Sequence, residues 1–249
     1  MTDLDARKQI FQRDGFVTIE QFATGPDFDE LTNEVARYIR DVVPTLSEAD
    51  AFYQDRERPE TLKQLQQMER DPFFDAYRSN PQWIELAQHF LGEEVVALGP
   101  EWFNKPPATP HATPPHQDNY YFNLKPANVL TIWMALEKTD EENGCLRYLP
   151  GSHTDGVRPH QPTQTLGFSQ GVSDYTSQEA AREVPVEMEP GDVVIHHGNA
   201  VHSAHANRST TRHRPAFAMV LKGVSCRRDE EGFARYMAAA QAQRKAMNR

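Results

Sequence analysis

The chain has 249 residues, 38% of them hydrophobic, and 36 acidic against 26 basic side chains give a formal charge of −10. That much apolar material fills one substantial core, so a single domain over 1–249 is expected. The acidic balance disfavours nucleic acid or an anionic membrane as partner, no run is long and apolar enough to span a bilayer, and the first residues carry no apolar leader. A cytoplasmic protein acting on a small molecule is the expectation.

In chain order, a short helix around Asp5 to Arg13 stops at Asp14-Gly15 and leads into an edge strand, Phe16-Val17-Thr18-Ile19. From Asp27, the apolar positions Phe28, Leu31, Val35, Tyr38, Ile39 and Val42 recur at helical spacing until Pro44. Asn80 as N-cap, Pro81 at the first helical position and Gly92 as terminator bracket another helix carrying Trp83, Ile84, Ala87, Phe90 and Leu91. Residues 1–92 thus read as a helical N-terminal part.

Beyond residue 93 the texture changes to short β-forming runs: Val95–Leu98, Val129–Leu136, Cys145–Leu149, Val184–Met188, Val193–His197 and Ala216–Lys222. This spacing predicts an antiparallel sandwich or barrel over 93–222. Glu189-Pro190-Gly191-Asp192 has the signature of a type II turn, with Gly taking positive φ. Residues 154–183 show no periodicity and are expected to form an active-site cover; a final helix is expected over 229–247.

With two cysteines only, Cys145 and Cys226, there is no disulfide framework, and a metal would need His and carboxylate ligands. Five prolines between Pro106 and Pro115 stiffen the approach to His116-Gln117-Asp118. In an extended segment, His116 and Asp118 project to one side and Gln117 to the other. With one distant histidine they would make the two-His-one-carboxylate set that suits iron(II). Five of the ten histidines lie between 196 and 213. Adjacent strand residues face opposite ways, so His196 and His197 are assigned to packing or hydrogen bonding, His202 to the metal, and His205 is its alternative. Arg214, nearest the strand from Ala216, offers a planar fork for a carboxylate, whereas Arg208 and Arg212 read as a solvated basic cluster.

These segments resemble the phytanoyl-CoA dioxygenase family of iron(II)- and 2-oxoglutarate-dependent oxygenases. Besides His116-Gln117-Asp118, the resemblance is carried by Asp14-Gly15-Phe16-Val17, Trp133, Glu142-Asn143-Gly144-Cys145-Leu146, Pro150-Gly151-Ser152-His153 and Gly191-Asp192 through His202, in family order over roughly residues 5 to 222. It implies a mainly β fold with flanking helices, the double-stranded β-helix or cupin-like jelly roll, with iron on His116, Asp118 and His202. It also implies an arginine after the distal histidine that anchors 2-oxoglutarate. That spacing is longer here by about one residue and puts His213 where the arginine belongs, so Arg214 is the assignment and Arg212 the alternative. Thr131 and Trp133, alternate residues on one strand, are further co-substrate contacts or core; of the residues flanking the metal motif, Asn104 is a further 2-oxoglutarate candidate and Tyr121 a substrate candidate.

The activity implied is hydroxylation of an unactivated C–H bond with O2, 2-oxoglutarate giving succinate and CO2. Asp118 sets the chain apart from related halogenases, which carry a small residue there; desaturation or cyclisation would start from the same iron chemistry. A CoA ester finds no clear basic patch outside 208–214, so a small polar metabolite is expected. Arg158, His160, Gln164, Phe168 and Tyr175 of the cover are the substrate candidates, with Arg158 expected to govern substrate affinity. The competing classes are a zinc hydrolase on the same three ligands and a non-catalytic jelly-roll binding protein.

Overall fold

The computed structural model describes residues 3–47, 50–165 and 168–247, with the side chains at 164–165, 168–169 and 242–247 outside the described set. Helix α1 (Asp3–Asp14) runs into strand β1 (Phe16–Ile19). Helix α2 (Gly25–Arg37) continues through a π turn, Tyr38–Val42, and a 3-10 turn, Val43–Thr45. Next come β2 (Ala51–Tyr53), β3 (Leu62–Leu65), α3 (Pro72–Tyr77), α4 (Pro81–Leu91), β4 (Val95–Phe103), β5 (Thr113–His116) and the short α5 (Asp118–Phe122). Then follow β6 (Leu124–Lys125), β7 (Val129–Ala135), β8 (Leu146–Tyr148), β9 (His160–Thr165), β10 (Phe168–Val172), α6 (Ser177–Ala180) and β11 (Val184–Val186). The chain closes with β12 (Val193–His197), β13 (His202–Ala204), β14 (Ala216–Gly223), β15 (Arg227–Arg228) and α7 (Glu230–Met247).

The strands form a jelly roll. A seven-stranded sheet in the order β1-β12-β7-β14-β4-β3-β2 faces a four-stranded sheet, β11-β8-β13-β5. All seven residues of β7 are buried because each face of the large sheet is covered. Leu130, Ile132 and Met134 point outward into a core with Tyr38, Phe74, Trp83 and Phe217. The alternate residues Trp133 and Ala135 point into the roll, against Leu146, Tyr148 and Val186 of the small sheet. Burial of each large outward side chain contributes about 1.5–3 kcal/mol, which fixes the helical layer on the sheet.

Local chemistry matches the sequence at several joints. Asn80 Oδ1 accepts from the amide of Gln82 at 2.9 Å and Gly92, at φ +76°, ends α4. In the 189–192 turn the Asp192 amide donates to the Glu189 carbonyl at 3.1 Å, and Gly191 has φ +87°.

Three expectations need correction. Residues 1–92 hold more strands than the edge strand expected at Phe16–Ile19, which is β1: β2 and β3 form the other edge of the large sheet. The short, mixed sequence of β3, Leu62-Lys63-Gln64-Leu65, is stabilised by pairing with β4 on one side and β2 on the other, a signal that local periodicity does not contain. The helix from Asp27 gives way to other turns before Pro44, which lacks an amide hydrogen. Residues 154–183 are structured: β9 and β10 pair as a hairpin and α6 is closed by a capping box between Thr176 and Glu179.

Candidate functional site

The stiff proline-rich run ends in β5, whose His116 lies directly opposite His202 of β13. Gln117 stays extended at φ −129°, ψ 126°, so Asp118, the first residue of α5, returns to the side of His116. Gln117 turns away, its Nε2 donating to the carbonyls of Gly156 at 2.8 Å and Asn199 at 2.6 Å. One ligand atom from each of His116, Asp118 and His202 falls within 4.8 Å of the others. Asp118 Oδ1 is 3.8 Å from His116 Nε2 and 3.6 Å from His202 Nε2.

Both imidazoles are held in one tautomer. His116 Nδ1 lies 2.9 Å from the Pro114 carbonyl and His202 Nδ1 3.0 Å from that of Ala200. A carbonyl only accepts, so Nδ1 carries the hydrogen and the Nε2 lone pairs converge on the shared space. Burial lowers the pKa of both rings, keeping them neutral and able to coordinate. For Asp118 burial works against charge, but His202, His196 and His116 hold its carboxyl well below the ordinary value.

The other oxygen of Asp118 is fixed from behind. Oδ2 accepts from Thr131 Oγ1 at 2.8 Å and from His196 Nε2 at 3.0 Å. Since His196 donates there, its Nδ1 accepts from Tyr148 Oη at 2.9 Å. His196 is therefore hydrogen-bonded, as expected, but to the carboxylate of the candidate metal cluster. Its alternation with outward His197 on β12 could have signalled an inward partner for Asp118. Thr131 and Trp133 do share a face, though the Thr131 hydroxyl is engaged by Asp118.

Arg214 is only 5% exposed, and its Nε and Nη1 are buried without a hydrogen-bond partner among the described residues. Its guanidinium lies 5.1 Å from the Trp133 ring centroid, and burial pulls its pKa down to about 10. Lys63, which the sequence reading missed, is lowered in pKa by burial and by Arg214. A guanidinium with unmet donors, beside a second desolvated cation, suits a dianion of the 2-oxoglutarate type. Arg212 is instead paired with Asp140 at 2.8 Å and with Glu142. Asn104 holds Arg214 in place: its Oδ1 accepts from the Arg214 amide at 3.3 Å while Nδ2 donates to the Leu62 carbonyl at 3.0 Å. His205 is exposed and lies outside the cluster.

Tyr121 stands edge-on to His116 at 6.2 Å, its hydroxyl donating to the Gln170 carbonyl at 2.7 Å. His160 stacks on Tyr120 at 4.0 Å, and Tyr175 donates to Glu183 at 2.7 Å. Arg158, expected to contact substrate, is ion-paired within the cover. Its guanidinium is paired with Asp174 at 2.9 Å and Glu179 at 2.7 Å, so it braces the cover. The side chains of Gln164 and Phe168 lie outside the described residues. Glu101, also missed, is half-buried on the inner face of β4; burial raises its carboxyl to about 7, the Gln64 hydrogen bond opposing and Asp118 and Glu69 adding to the rise.

The family model for phytanoyl-CoA dioxygenase (PhyH) matches residues 11–216. The chain belongs to the phytanoyl-CoA dioxygenase family. It is 29% identical over 223 residues to the peroxisomal phytanoyl-CoA dioxygenase of Bos taurus, covering 82% of this chain and 64% of that protein. This chain thus spans less than two thirds of the bovine protein's length. It is 28% identical over 207 residues to a probable alpha-ketoglutarate-dependent hypophosphite dioxygenase of Stutzerimonas stutzeri, covering 80% and 72%. Among solved structures, EctD from S. alaskensis in its apoform superposes with a TM-score of 0.74 at 19% identity, covering 94% of this chain and 80% of that one. EvdO2 from Micromonospora carbonacea complexed with 2-oxoglutarate gives 0.71 at 23%, covering 90% and 92%. These establish the jelly-roll fold. Among the described residues no helix is long and apolar enough to cross a membrane.

Proposed function

We propose that this family member is an iron(II)- and 2-oxoglutarate-dependent dioxygenase that hydroxylates a C–H bond of a small polar metabolite. The observation that carries the reading is the buried Arg214, with unmet donors, in the same roll as the His116-Asp118-His202 cluster, whose ligand atoms lie within 4.8 Å of one another. His116, Asp118 and His202 would hold iron, and Arg214, with Trp133 stacked on it and Lys63 close by, would hold the distal carboxylate of 2-oxoglutarate. Once bound, iron and 2-oxoglutarate would supply, with O2, the oxidising power for the C–H bond, giving succinate and CO2.

The residues of the chain orient and protect. Thr131 and His196 keep Asp118 Oδ1 turned inward, and the carbonyls of Pro114 and Ala200 keep both histidines in the ligating tautomer. Tyr121 and the β9–β10 hairpin, braced by Arg158, limit water access beside His116. A zinc hydrolase would use the same three ligands but gives the desolvated Arg214 no task. Free, buried Cys145 and Cys226 support a reducing compartment, and we assign the cytoplasm.

The test is the visible spectrum after anaerobic addition of iron(II) and then 2-oxoglutarate to wild type, Arg214→Ala and His202→Ala. A weak metal-to-ligand charge-transfer band in wild type alone is expected. No band in wild type, together with tight zinc binding and O2-independent hydrolysis, would replace this reading with the hydrolase.

A further inference from the structure

Inside the roll, the strand register aligns side chains in rows across the large sheet. Glu101 on β4 pairs with Ala218 on β14, which pairs with Trp133 on β7. Two strand spacings, about 10 Å, separate the Glu101 and Trp133 backbones. The residue between them is only an alanine, so the acidic side chain and the Arg214-Trp133 pair address one interior. Glu101 is also close enough to Asp118 for that charge to raise its pKa.

Glu101 has company. A side chain at Gly99, two residues earlier on β4, would collide with the Glu69 carboxylate, which occupies that space. Gln64, 6% exposed, donates its Nε2 to Glu101 Oε2 at 3.0 Å, which aims its amide into the same corner. Its Oε1 is nevertheless buried without a partner among the described residues, as is Oε2 of Glu69. The corner therefore brings together two carboxyl groups and an amide oxygen; Glu69 Oε2 and Gln64 Oε1 have unmet acceptor capacity, and neither carboxyl group has an ion-pair partner among the described residues.

We infer that Glu101, Glu69 and Gln64 form the substrate subsite of the oxygenase, and that it takes a primary ammonium group. Three acceptor groups match the three N–H donors of an alkylammonium, whereas calcium asks for six to eight oxygens. The charge of the substrate would offset the repulsion between the two carboxylates. A substrate so held carries an amine at one end and presents the C–H bonds of its chain to the metal cluster. This rests on the oxygenase reading for its meaning, but binding alone can test it.

The experiment is a ligand-observed NMR titration of the metal-free full chain with n-butylammonium, n-butanol and butanoate, which share a carbon chain and differ in charge. Butylammonium is expected to bind about tenfold tighter than butanol or more. Glu101→Gln and Glu69→Gln should each remove most of that preference, circular dichroism confirming that they fold; if they do not, the three wild-type affinities decide. Equal affinities, a preference for butanoate, no binding of butylammonium, or a preference surviving in both variants overturns the assignment. The charge-transfer band is read separately: a band without ammonium selectivity removes only this subsite, and selectivity without a band removes only the oxygenase.

Discussion

The imidazole Nε2 of His196 lies 3.0 Å from Asp118 Oδ2, the carboxylate oxygen not shared with His116 and His202. A ligand's second oxygen, left unrestrained, would let the carboxylate rotate and lose its aim. His196→Ala is therefore expected to weaken iron(II) binding about 10- to 100-fold, as removal of such supporting partners does elsewhere. Anaerobic iron titration measures this; unchanged affinity would show that Thr131 alone fixes Asp118.

A buried guanidinium without a carboxylate costs stability until its partner arrives. Arg214→Met should leave the metal-free protein as stable as wild type or more so, and should abolish the rise in Tm that 2-oxoglutarate gives in the presence of iron(II). For wild type that rise corresponds to about 2.7 kcal/mol at a hundredfold excess over Kd. Arg212→Ala, which breaks only the partly exposed pairs with Asp140 and Glu142, should keep the rise. Thermal scans of the three proteins decide between the two arginines.

The Glu101 carboxyl is raised from 4.5 to about 7 in the folded protein. Between those values the native state holds a proton that the unfolded chain has released, so the Glu101 contribution is fully present below about 4.5 and lost as pH rises through about 7. Glu101→Gln removes this dependence. Relative to wild type, the metal-free variant should gain stability between pH 5 and pH 8. Denaturant unfolding at four pH values checks the sign, and a difference flat in pH rejects the buried-acid description.

Gly191→Ala would force a side chain into positive φ and against the Ala23 carbonyl oxygen, 2.1 Å from the ideal Cβ position. A loss of about 1–3 kcal/mol from the backbone conformation, with more from the collision, is expected in urea unfolding. Because the turn leads into β12, which carries His196, iron affinity should fall with stability.

What could be read from the sequence divides along a physical line. His116 and Asp118 were legible because the i, i+2 relation is local and survives the change from strand to helix at Asp118. His202 was chosen over His205 from its place just past the turn after the 193–197 strand, though nothing near it says which strand it will face. Thr131 was placed on the right face, but its hydrogen bond to Asp118 was not legible, because that contact depends on where the start of α5 sits relative to β7. Lys63, Gln64 and Glu101 escaped notice for the same reason: they sit in ordinary sequence, and only the β3–β4–β14 register assembles them. Arg158 looked like a free cation because Glu179, its partner, lies twenty-one residues away on a helix with no periodic signal.

Pairing of His116 and His202 directly across β5 and β13 also makes the metal a mechanical part. An ion gripped by both rings joins two adjacent strands of the small sheet through side chains as well as backbone, like a rivet through a seam. Loss of the ion would release that seam first, while the helix-backed large sheet stays shut, so the empty enzyme would breathe at the wall where the cover hairpin rests.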